Sequence, residues 1–285
     1  MTTMCLVTGT ATSRAANAAP DAAALSRTYL MCPPEHFNVL YSINPWMTGA
    51  EQVDRHVAMS QWQTLADTYR SLGHQVRLID PVPGLPDMVF AANGATVIGG
   101  AVLGARFHHP QRAAEGPAYL DWFRAAGYAA VHESALTNEG EGDIVFAGTT
   151  ILAGFRSDAS IATDLEAVFG LPVVSLRLVD PHYYHLDTAL CVLDATTAAY
   201  YPAAFDAAAR TALASVFTDL IEATDADARV LGLNAVSDGH HVILPAEATG
   251  LAGQLAARGF EPVGVEMSEF RKAGGGPKCC TLELR

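Results

Sequence analysis

Two adjacent cysteines, Cys279 and Cys280, follow three glycines in the segment GGGPKCCTLELR. Glycines let one stretch of backbone come close to another group, and the residues from Cys279 to Leu284 predict a strand. Successive side chains of a strand point to opposite faces, so only one of the two thiols can face a given site. The alternative interpretation is a pair of small, buried hydrophobic residues.

A histidine and a carboxylate lie two residues apart in the segment YYHLDT. On a strand, His185 and Asp187 would share one face, where they suit general acid–base catalysis or the binding of a cation. A hydrogen-bonded histidine of the core is the alternative. A thiol beside an imidazole can become a nucleophilic thiolate, so these two segments together predict a cysteine nucleophile.

Other polar groups stand next to apolar runs. The segment NEGEGD, residues 138–143, holds three carboxylates directly before the apolar run Ile144–Phe146, and Asn93 ends the apolar segment PDMVFAAN. A solvated turn is the alternative interpretation of the acidic segment. A pair of carboxylate oxygens is the natural receptor for a planar guanidinium, which presents paired N–H donors.

Strand-like and helix-like patterns alternate along the chain with no long linker, which predicts a single α/β domain. The predicted strands are Arg27–Cys32, Gln75–Leu78, Ala95–Ile98, Ile144–Phe146, Thr150–Ala153, Val173–Leu178, Ala189–Val192, Val242–Leu244, Glu261–Glu266 and Cys279–Leu284. The predicted helices are Asp54–Leu72, Ala113–Ala126, Asp158–Phe169, Ala204–Asp219 and Ala246–Arg258. Neither a dinucleotide-binding G-x-G-x-x-G after an early strand nor a phosphate-binding P-loop is present.

Composition excludes several classes of partner. The chain has 285 residues, 50% hydrophobic and 16% charged, with a formal net charge of -13. The negative charge argues against nucleic acid and anionic membranes as partners, and no apolar run approaches the roughly 20 residues that cross a bilayer. Five cysteines without disulfide or zinc spacing favour a reduced, cytoplasmic protein without a structural metal. Residues 1–28 are interpreted as a flexible leader.

From about Tyr29 to Arg285 the sequence resembles the guanidine-modifying enzymes of the pentein superfamily. Within that group it is most similar to arginine dihydrolase, through MCPPEHFNVLYSINPWM, GLPDMVFAANG, YYHLDT, YYPAAF and GGGPKCCTLEL. The resemblance implies a pentein-type α/β propeller in which pseudo-fivefold ββαβ units surround a central active site. It also implies one catalytic domain over residues 29–285.

The resemblance also implies roles for particular residues. Cys279 matches the nucleophile, His185 the general acid and base, and Glu139 the catalytic acid that binds the guanidinium. Asp187 matches a second guanidinium contact, and Asp143 supports Glu139. The remaining matches to substrate-binding positions are Asn44, Asn93, Arg106 and Arg156, of which the two arginines would bind the substrate carboxylate.

Asn93 bears on the substrate, because arginine deiminases carry Asp at this position and arginine dihydrolase carries Asn. An amide can donate and accept hydrogen bonds, so it can also hold the neutral ureido group of citrulline. The sequence therefore predicts hydrolysis of arginine to ornithine or citrulline, without a metal or an organic cofactor. Dimethylarginine hydrolysis, amidino transfer and non-catalytic amino-acid binding remain as alternatives, and a homo-oligomer is left open.

Overall fold

The structure, a computed structural model, describes residues 25–49, 52–155 and 161–285. Its strands are β1 Thr28–Met31, β2 Gln75–Leu78, β3 Ala95–Ile98, β4 Ala101–Gly104, β5 Ala130–His132, β6 Ile144–Ala147, β7 Thr150–Phe155, β8 Val173–Arg177, β9 Leu190–Val192, β10 Thr197–Tyr200, β11 Asp219–Glu222, β12 Val236–Ser237, β13 His241–Pro245, β14 Glu261–Val265 and β15 Leu282–Glu283. Its helices are α1 Arg55–Ser71, α2 Glu115–Ala125, α3 Ile161–Phe169, α4 Ala207–Val216, α5 Asp225–Arg229, α6 Thr249–Ala256 and α7 Ser268–Arg271.

The described strands form five three-stranded sheets with the same connectivity. In the unit that begins with β3, an antiparallel β3–β4 pair is followed by α2 and then by β5, which lies parallel to β4. The units that begin with β6, β9 and β12 repeat this order. In the fifth unit β15 lies antiparallel to β1, and β1 is parallel to β2, so residues from both ends of the described chain share one sheet. The five ββαβ units predicted from the resemblance are therefore present.

The strongest local patterns gave accurate element boundaries. The strands Gln75–Leu78 and Ala95–Ile98 have the predicted limits. The predicted helix Asp54–Leu72 corresponds to α1. The helix begins directly after Asp54, because the Asp54 side chain caps it by accepting hydrogen bonds from the N–H groups of His56 and Val57. The apolar residues Ala58, Trp62, Leu65 and Tyr69 lie on the buried face of this helix.

Two predictions of local structure were wrong, and one conditional placement of His185 and Asp187 on a strand does not hold. Only Leu282–Glu283 of the predicted strand Cys279–Leu284 is a strand, and both cysteines lie in a turn before it. Asp187 lies in a short 3-10 helix, Leu186–Thr188, that follows His185, and not on a strand. The predicted helix Ala204–Asp219 ends at Val216, because the chain is extended at Phe217 and then enters β11.

The turn that leads into the first strand of each unit carries a polar side chain toward the centre of the molecule. These residues are Asn93 before β3, Glu139 before β6, His185 and Asp187 before β9, Asn234 before β12, and Cys279 before β15. We call these five turns the central ring.

Hydrogen bonds connect each turn of the central ring to the next. The Ala92 N–H donates to the Cys279 carbonyl at 3.0 Å, and the Asn93 amide donates to the Glu139 carbonyl at 3.4 Å. His185 and Glu139 join through their side chains at 2.7 Å. The Asn234 amide donates to the Asp187 carbonyl at 3.1 Å and accepts from the Cys279 N–H at 3.0 Å, which closes the ring.

Residues 1–24, most of the predicted leader, lie outside the described residues, and β1 begins at Thr28. Among the helices in the described part of the chain, none combines the length and the apolar character that a membrane crossing requires.

Candidate active site

A cavity of about 420 Å³, including its mouth, opens at the central ring. The lining residues are Ile43, Asn44, Met47, Asp87, Phe90, Asn93, His109, Arg112, Glu139, Tyr184, Ala273, Gly274, Gly275 and Cys279. The cavity therefore combines apolar walls with a thiol, carboxylates, amides and one guanidinium.

The Cys279 side chain is held between two polar neighbours. Its Sγ lies 3.3 Å from Asp187 Oδ2, and the Asn234 amide donates to it at 3.1 Å. Burial raises the pKa of the Cys279 thiol well above its usual range, and the neighbouring Asp187 charge raises that pKa further. Both effects favour the protonated thiol, and a cation that neutralises Asp187 would favour its ionisation.

His185 forms a short pair with Glu139 inside the protein. Nε2 of the imidazole lies 2.7 Å from Oε2 of the carboxylate, and both side chains are buried. Burial lowers the pKa of His185, but the hydrogen bond and charge of Glu139 outweigh burial and raise the pKa overall. The raised pKa favours the protonated imidazole, the form that a general acid requires. Asp143 supports this pair from behind, because its carboxylate accepts the Glu139 backbone N–H at 2.9 Å.

Two buried atoms of the central ring lack a hydrogen-bond partner among the described residues: His185 Nδ1 and Asp187 Oδ1. A buried polar atom without a partner costs about 1–3 kcal/mol. A ligand that donates N–H bonds to Asp187 and exchanges a proton with His185 would satisfy both atoms. A guanidinium has the donors that the carboxylate requires.

Asn93 has a defined amide orientation because of Arg112. The Arg112 guanidinium donates to Asn93 Oδ1 at 2.9 Å, and a guanidinium has no acceptor. The oxygen must therefore face Arg112, and the amide NH2 group points toward Glu139. Arg112 itself is fixed by a bidentate ion pair with the buried Glu115, at 3.0 and 2.8 Å.

Two glycines allow the site to pack this closely. A Cβ on Gly142 would lie 2.4 Å from Asn93 Nδ2 and 3.0 Å from His185 Nδ1. A Cβ on Gly275 would lie 2.2 Å from the Phe90 ring. The predicted close approach of backbone at the glycine segment before Cys279 is confirmed.

The structure brings together most of the residues predicted for the site: Asn44, Asn93, Glu139 and Cys279 line the cavity, and His185 and Asp187 contact Glu139 and Cys279 without lining it. The other three residues of the predicted site are placed differently. Arg106 has an exposed side chain and does not line the cavity; its backbone pairs with Asn138. Asp143 supports Glu139 without lining the cavity. Arg156 lies outside the described residues.

Asn44 lies in the cavity wall, but its hydrogen bonds are made within the protein. Its amide donates to the Tyr184 hydroxyl and the Ala273 carbonyl, each at 3.1 Å. Its oxygen accepts the Trp46 N–H at 2.9 Å. Asn44 therefore holds the wall of the cavity in place.

Sequence reasoning missed Arg112, Asn234 and Asp87 as residues of this region. Arg112 is the second arginine of the segment ARFHHPQR, in which Arg106 was chosen. The signal that distinguishes Arg112 is Glu115 three residues later, a spacing that suits an ion pair at the start of a helix. Asn234 contacts Cys279 from 45 residues away, and no local pattern marks it.

Known proteins share this fold and much of this sequence. Residues 42–285 match the family described as N,N dimethylarginine dimethylhydrolase, eukaryotic. The chain is 53% identical over 261 residues to the N(G),N(G)-dimethylarginine dimethylaminohydrolase of Mycobacterium tuberculosis, covering 91% of this chain and 86% of that protein. It is 38% identical over 264 residues to the bifunctional arginine dihydrolase/ornithine cyclodeaminase ArgZ of Synechocystis sp., covering 90% of this chain and 37% of that protein.

A solved structure of the N-terminal domain of ArgZ, covalently bound to a reaction intermediate, superposes with a TM-score of 0.88. It is 36% identical, and the match covers 91% of this chain and 98% of that chain. A cysteine-to-serine variant of the same domain has been solved with its substrate bound.

The fold and the central site therefore define a guanidine-modifying enzyme of the pentein superfamily, a hydrolase of guanidino C–N bonds. The chain belongs to the dimethylarginine dimethylaminohydrolase family.

Proposed function

We propose that this protein is an arginine dihydrolase, which converts arginine and two waters to ornithine, carbon dioxide and two ammonia molecules. The observation that carries this proposal is the fixed orientation of the Asn93 amide by Arg112. One N–H of the amide donates to the Glu139 carbonyl. The second N–H can bind the oxygen of a neutral ureido group and gains nothing from a guanidinium, a group made only of donors. Such a residue favours retention of citrulline for a second hydrolysis.

In the first round, the guanidinium lies between the carboxylates of Glu139 and Asp187. Its positive charge lowers the pKa of Cys279, whose thiolate adds to the guanidine carbon. His185 protonates the departing nitrogen, ammonia leaves, and an S-linked thiouronium intermediate remains. His185 then takes a proton from water, the water adds to the same carbon, and the C–S bond breaks to give citrulline.

In the second round, Cys279 attacks the ureido carbon of citrulline. The ureido group is neutral, so a donor to its oxygen is needed where negative charge develops during the attack. Asn93 supplies that donor. His185 protonates the terminal amino group, which leaves as the second ammonia and gives an S-linked carbamoyl intermediate. One further water adds to the same carbon, the C–S bond breaks, and the carbamate of ornithine that is released loses carbon dioxide to give ornithine.

A second candidate is hydrolysis of asymmetric dimethylarginine to citrulline and dimethylamine. It is favoured by the family match and by the 53% identity to the Mycobacterium tuberculosis relative of that name. The same nucleophile, acid–base pair and carboxylates would serve this reaction. The two candidates differ in the leaving amine and in the fate of citrulline.

Mass spectrometry of the products distinguishes the two candidates. Purified protein is incubated separately with arginine, citrulline and asymmetric dimethylarginine. We expect ornithine from arginine, with transient citrulline. Citrulline and dimethylamine formed from the methylated substrate, with arginine left unchanged, would replace the dihydrolase assignment by the second candidate.

The variant Asn93→Asp is expected to shift the products of arginine toward citrulline. A carboxylate oxygen replaces the amide donor, so the ureido oxygen loses its partner and meets a negative charge. The ratio of ornithine to citrulline should fall roughly tenfold or more, since loss of a partner to a buried polar group is strongly discriminating. Chromatography of the amino-acid products measures this ratio.

Asn38→Asp, outside the cavity lining, is the control for this variant and should keep the wild-type ratio. An unchanged ratio of ornithine to citrulline in Asn93→Asp would refute the role of the amide.

The activity is expected to fall on the acid side of about pH 6. Burial raises the pKa of Asp187 to about 6, although His185 and Lys278 act to lower it. Below that pH, Asp187 takes up a proton and loses the charge that binds the guanidinium. Since kcat/KM reports the ionisation of the free enzyme, its logarithm for arginine should decline with a slope of up to about one below pH 6.

Asp187→Asn should abolish this acid limb and lower kcat/KM at pH 8 by roughly 10–100-fold, the usual value of a charge-assisted hydrogen bond. The exposed Asp67→Asn serves as the control and should keep the wild-type profile. A wild-type kcat/KM that stays constant down to pH 5 contradicts the assignment of Asp187.

A further inference from the structure

A group of three metal-ligating side chains lies in the described part of the chain, away from the active-site cavity. It consists of His240, His241 and Glu261, and their ligand atoms all lie within 4.8 Å of one another. Strand pairing brings them together, because His241 at the start of β13 is the parallel partner of Glu261 at the start of β14. His240 lies in the turn immediately before β13.

The distances between these ligand atoms suit a small divalent cation. Glu261 Oε2 lies 3.6 Å from His240 Nε2 and 3.9 Å from His241 Nε2. Bonds of about 2.0–2.1 Å at tetrahedral angles place the ligand atoms of Zn²⁺ about 3.3 Å apart. The two separations from Glu261 exceed this spacing by about 0.3 and 0.6 Å, and the two imidazole ligand atoms lie within 4.8 Å of each other. Side-chain rotations that move the ligand atoms by at most about 1.5 Å would therefore close the three groups around one ion.

A buried carboxylate orients one of the two imidazoles. Asp238 is fully buried, and its Oδ2 lies 2.8 Å from His241 Nδ1. Its Oδ1 accepts the backbone N–H groups of His240 and His241 at 2.8 and 2.7 Å. The proton of the neutral imidazole therefore lies on Nδ1, and the Nε2 lone pair is free to bind a metal, as in carboxylate–histidine–zinc arrangements.

We propose that His240, His241 and Glu261 form a binding site for a divalent cation of the Zn²⁺ class, with Asp238 as the residue that positions His241. Two imidazoles and a carboxylate are a common zinc ligand set, with the remaining coordination position left to water. The His240 and Glu261 side chains are 36% and 63% exposed, so the ion can enter from solvent. The sequence predicted no metal site, because the ligands come from different strands and contain no Cys/His spacing.

Isothermal titration of the metal-free full chain with ZnCl₂ tests the site. The Cys279→Ser background is used, because the active-site thiol is itself a zinc ligand. We expect one equivalent of Zn²⁺ to bind. His240→Ala, His241→Ala and Glu261→Gln should each weaken this binding about tenfold or more, with circular dichroism showing that each variant is folded.

His108→Ala is the matched control. His108 and His109 are also adjacent, with ring centroids 4.8 Å apart against 4.7 Å for His240 and His241. They do not belong to a group of three ligands among the described residues. His108→Ala should leave the affinity within twofold of the background. Absence of zinc binding in the Cys279→Ser protein, or an equal loss in His108→Ala, would overturn the proposal.

Discussion

Replacing Cys279 with serine is expected to reduce the turnover of arginine by about 10⁴-fold or more, the order observed when a catalytic nucleophile is removed. The serine hydroxyl has the size to retain the contacts of the thiol with Asn234 and Asp187. The fold should therefore stay intact, and the unfolding temperature should remain close to that of the wild type. Steady-state kinetics and thermal unfolding measure the two quantities on the same preparation.

The adjacent cysteine provides a matched control. Cys280 is fully buried in the apolar core formed with α1 and does not line the cavity. Cys280→Ala should keep kcat within a few-fold of the wild type and lower the stability, because it leaves a small cavity in the core. Substantial activity in Cys279→Ser, or its loss in folded Cys280→Ala, would reverse the assignment of the nucleophile.

Alkylation of the wild-type protein tests how the Cys279 thiol becomes reactive. Because the pKa of Cys279 is raised by burial and by Asp187, a neutral alkylating agent such as iodoacetamide should react slowly at pH 7. A chloroacetamidine carries a positive charge that Asp187 and Glu139 can bind, and it should label Cys279 much faster. Equal rates for the two reagents would indicate a thiolate that exists before the substrate arrives.

The variant Arg112→Met is expected to lower the free energy of unfolding by about 3–5 kcal/mol, the usual cost of removing one partner of a buried ion pair. Arg112 and Glu115 are 5% and 0% exposed. Without the guanidinium, Glu115 keeps a buried charge with no counterion, and Asp87 and Glu139 lose a positive neighbour. Urea unfolding followed by circular dichroism measures the loss.

The loss in Arg112→Met should depend on pH. Burial raises the pKa of Glu115 to about 7 even with Arg112 present, above the value of about 4.3 in unfolded chains. A carboxyl group whose pKa is raised by folding favours the folded state at low pH, and this contribution is lost as pH rises through about 4 to 7. The destabilisation should therefore be smaller at pH 5 than at pH 8, and Glu115→Gln added to Arg112→Met should restore part of the stability.

Arg124 is the matched control for Arg112. It pairs with Asp121 three residues away, the same separation as Arg112 and Glu115, but both side chains are exposed. Arg124→Met should change the stability little, because exposed ion pairs are screened by solvent. Equal effects of the two substitutions would mean that burial does not set the strength of the Arg112 pair.

The sequence predicted the identity of the residues in the central ring better than their backbone conformation. Cys279, His185, Glu139, Asp187 and Asn93 stand in short segments with distinctive residue types, and the structure brings all five together. The local conformation of Cys279 was predicted wrongly as strand, and the strand considered for His185 and Asp187 is a 3-10 helix that follows His185. These segments hydrogen-bond to other turns of the central ring, and local propensity carries no information about such long-range partners.

Residues that act through long-range contacts were missed for the same reason. Asn234 lies in a segment of small and apolar residues, and its contact with Cys279 exists only after the units have assembled. Short strands such as Thr197–Tyr200 were also missed, because two of their four residues are alanine, which is depleted in strands. Pairing with β9 and β11 gives this segment its extended form.

The pairing of β15 with β1 has a kinetic consequence for the appearance of activity. The ion pair between Arg27 and Glu283 beside this pairing joins residues 256 positions apart. Bringing β1 and β15 together therefore costs chain entropy and belongs among the slow steps of folding. Cys279 lies just before β15 and is brought to its neighbours by this same closure. During refolding, the four units between these ends can acquire secondary structure before any thiol stands beside Asp187. Recovery of turnover should therefore lag behind recovery of the circular dichroism signal.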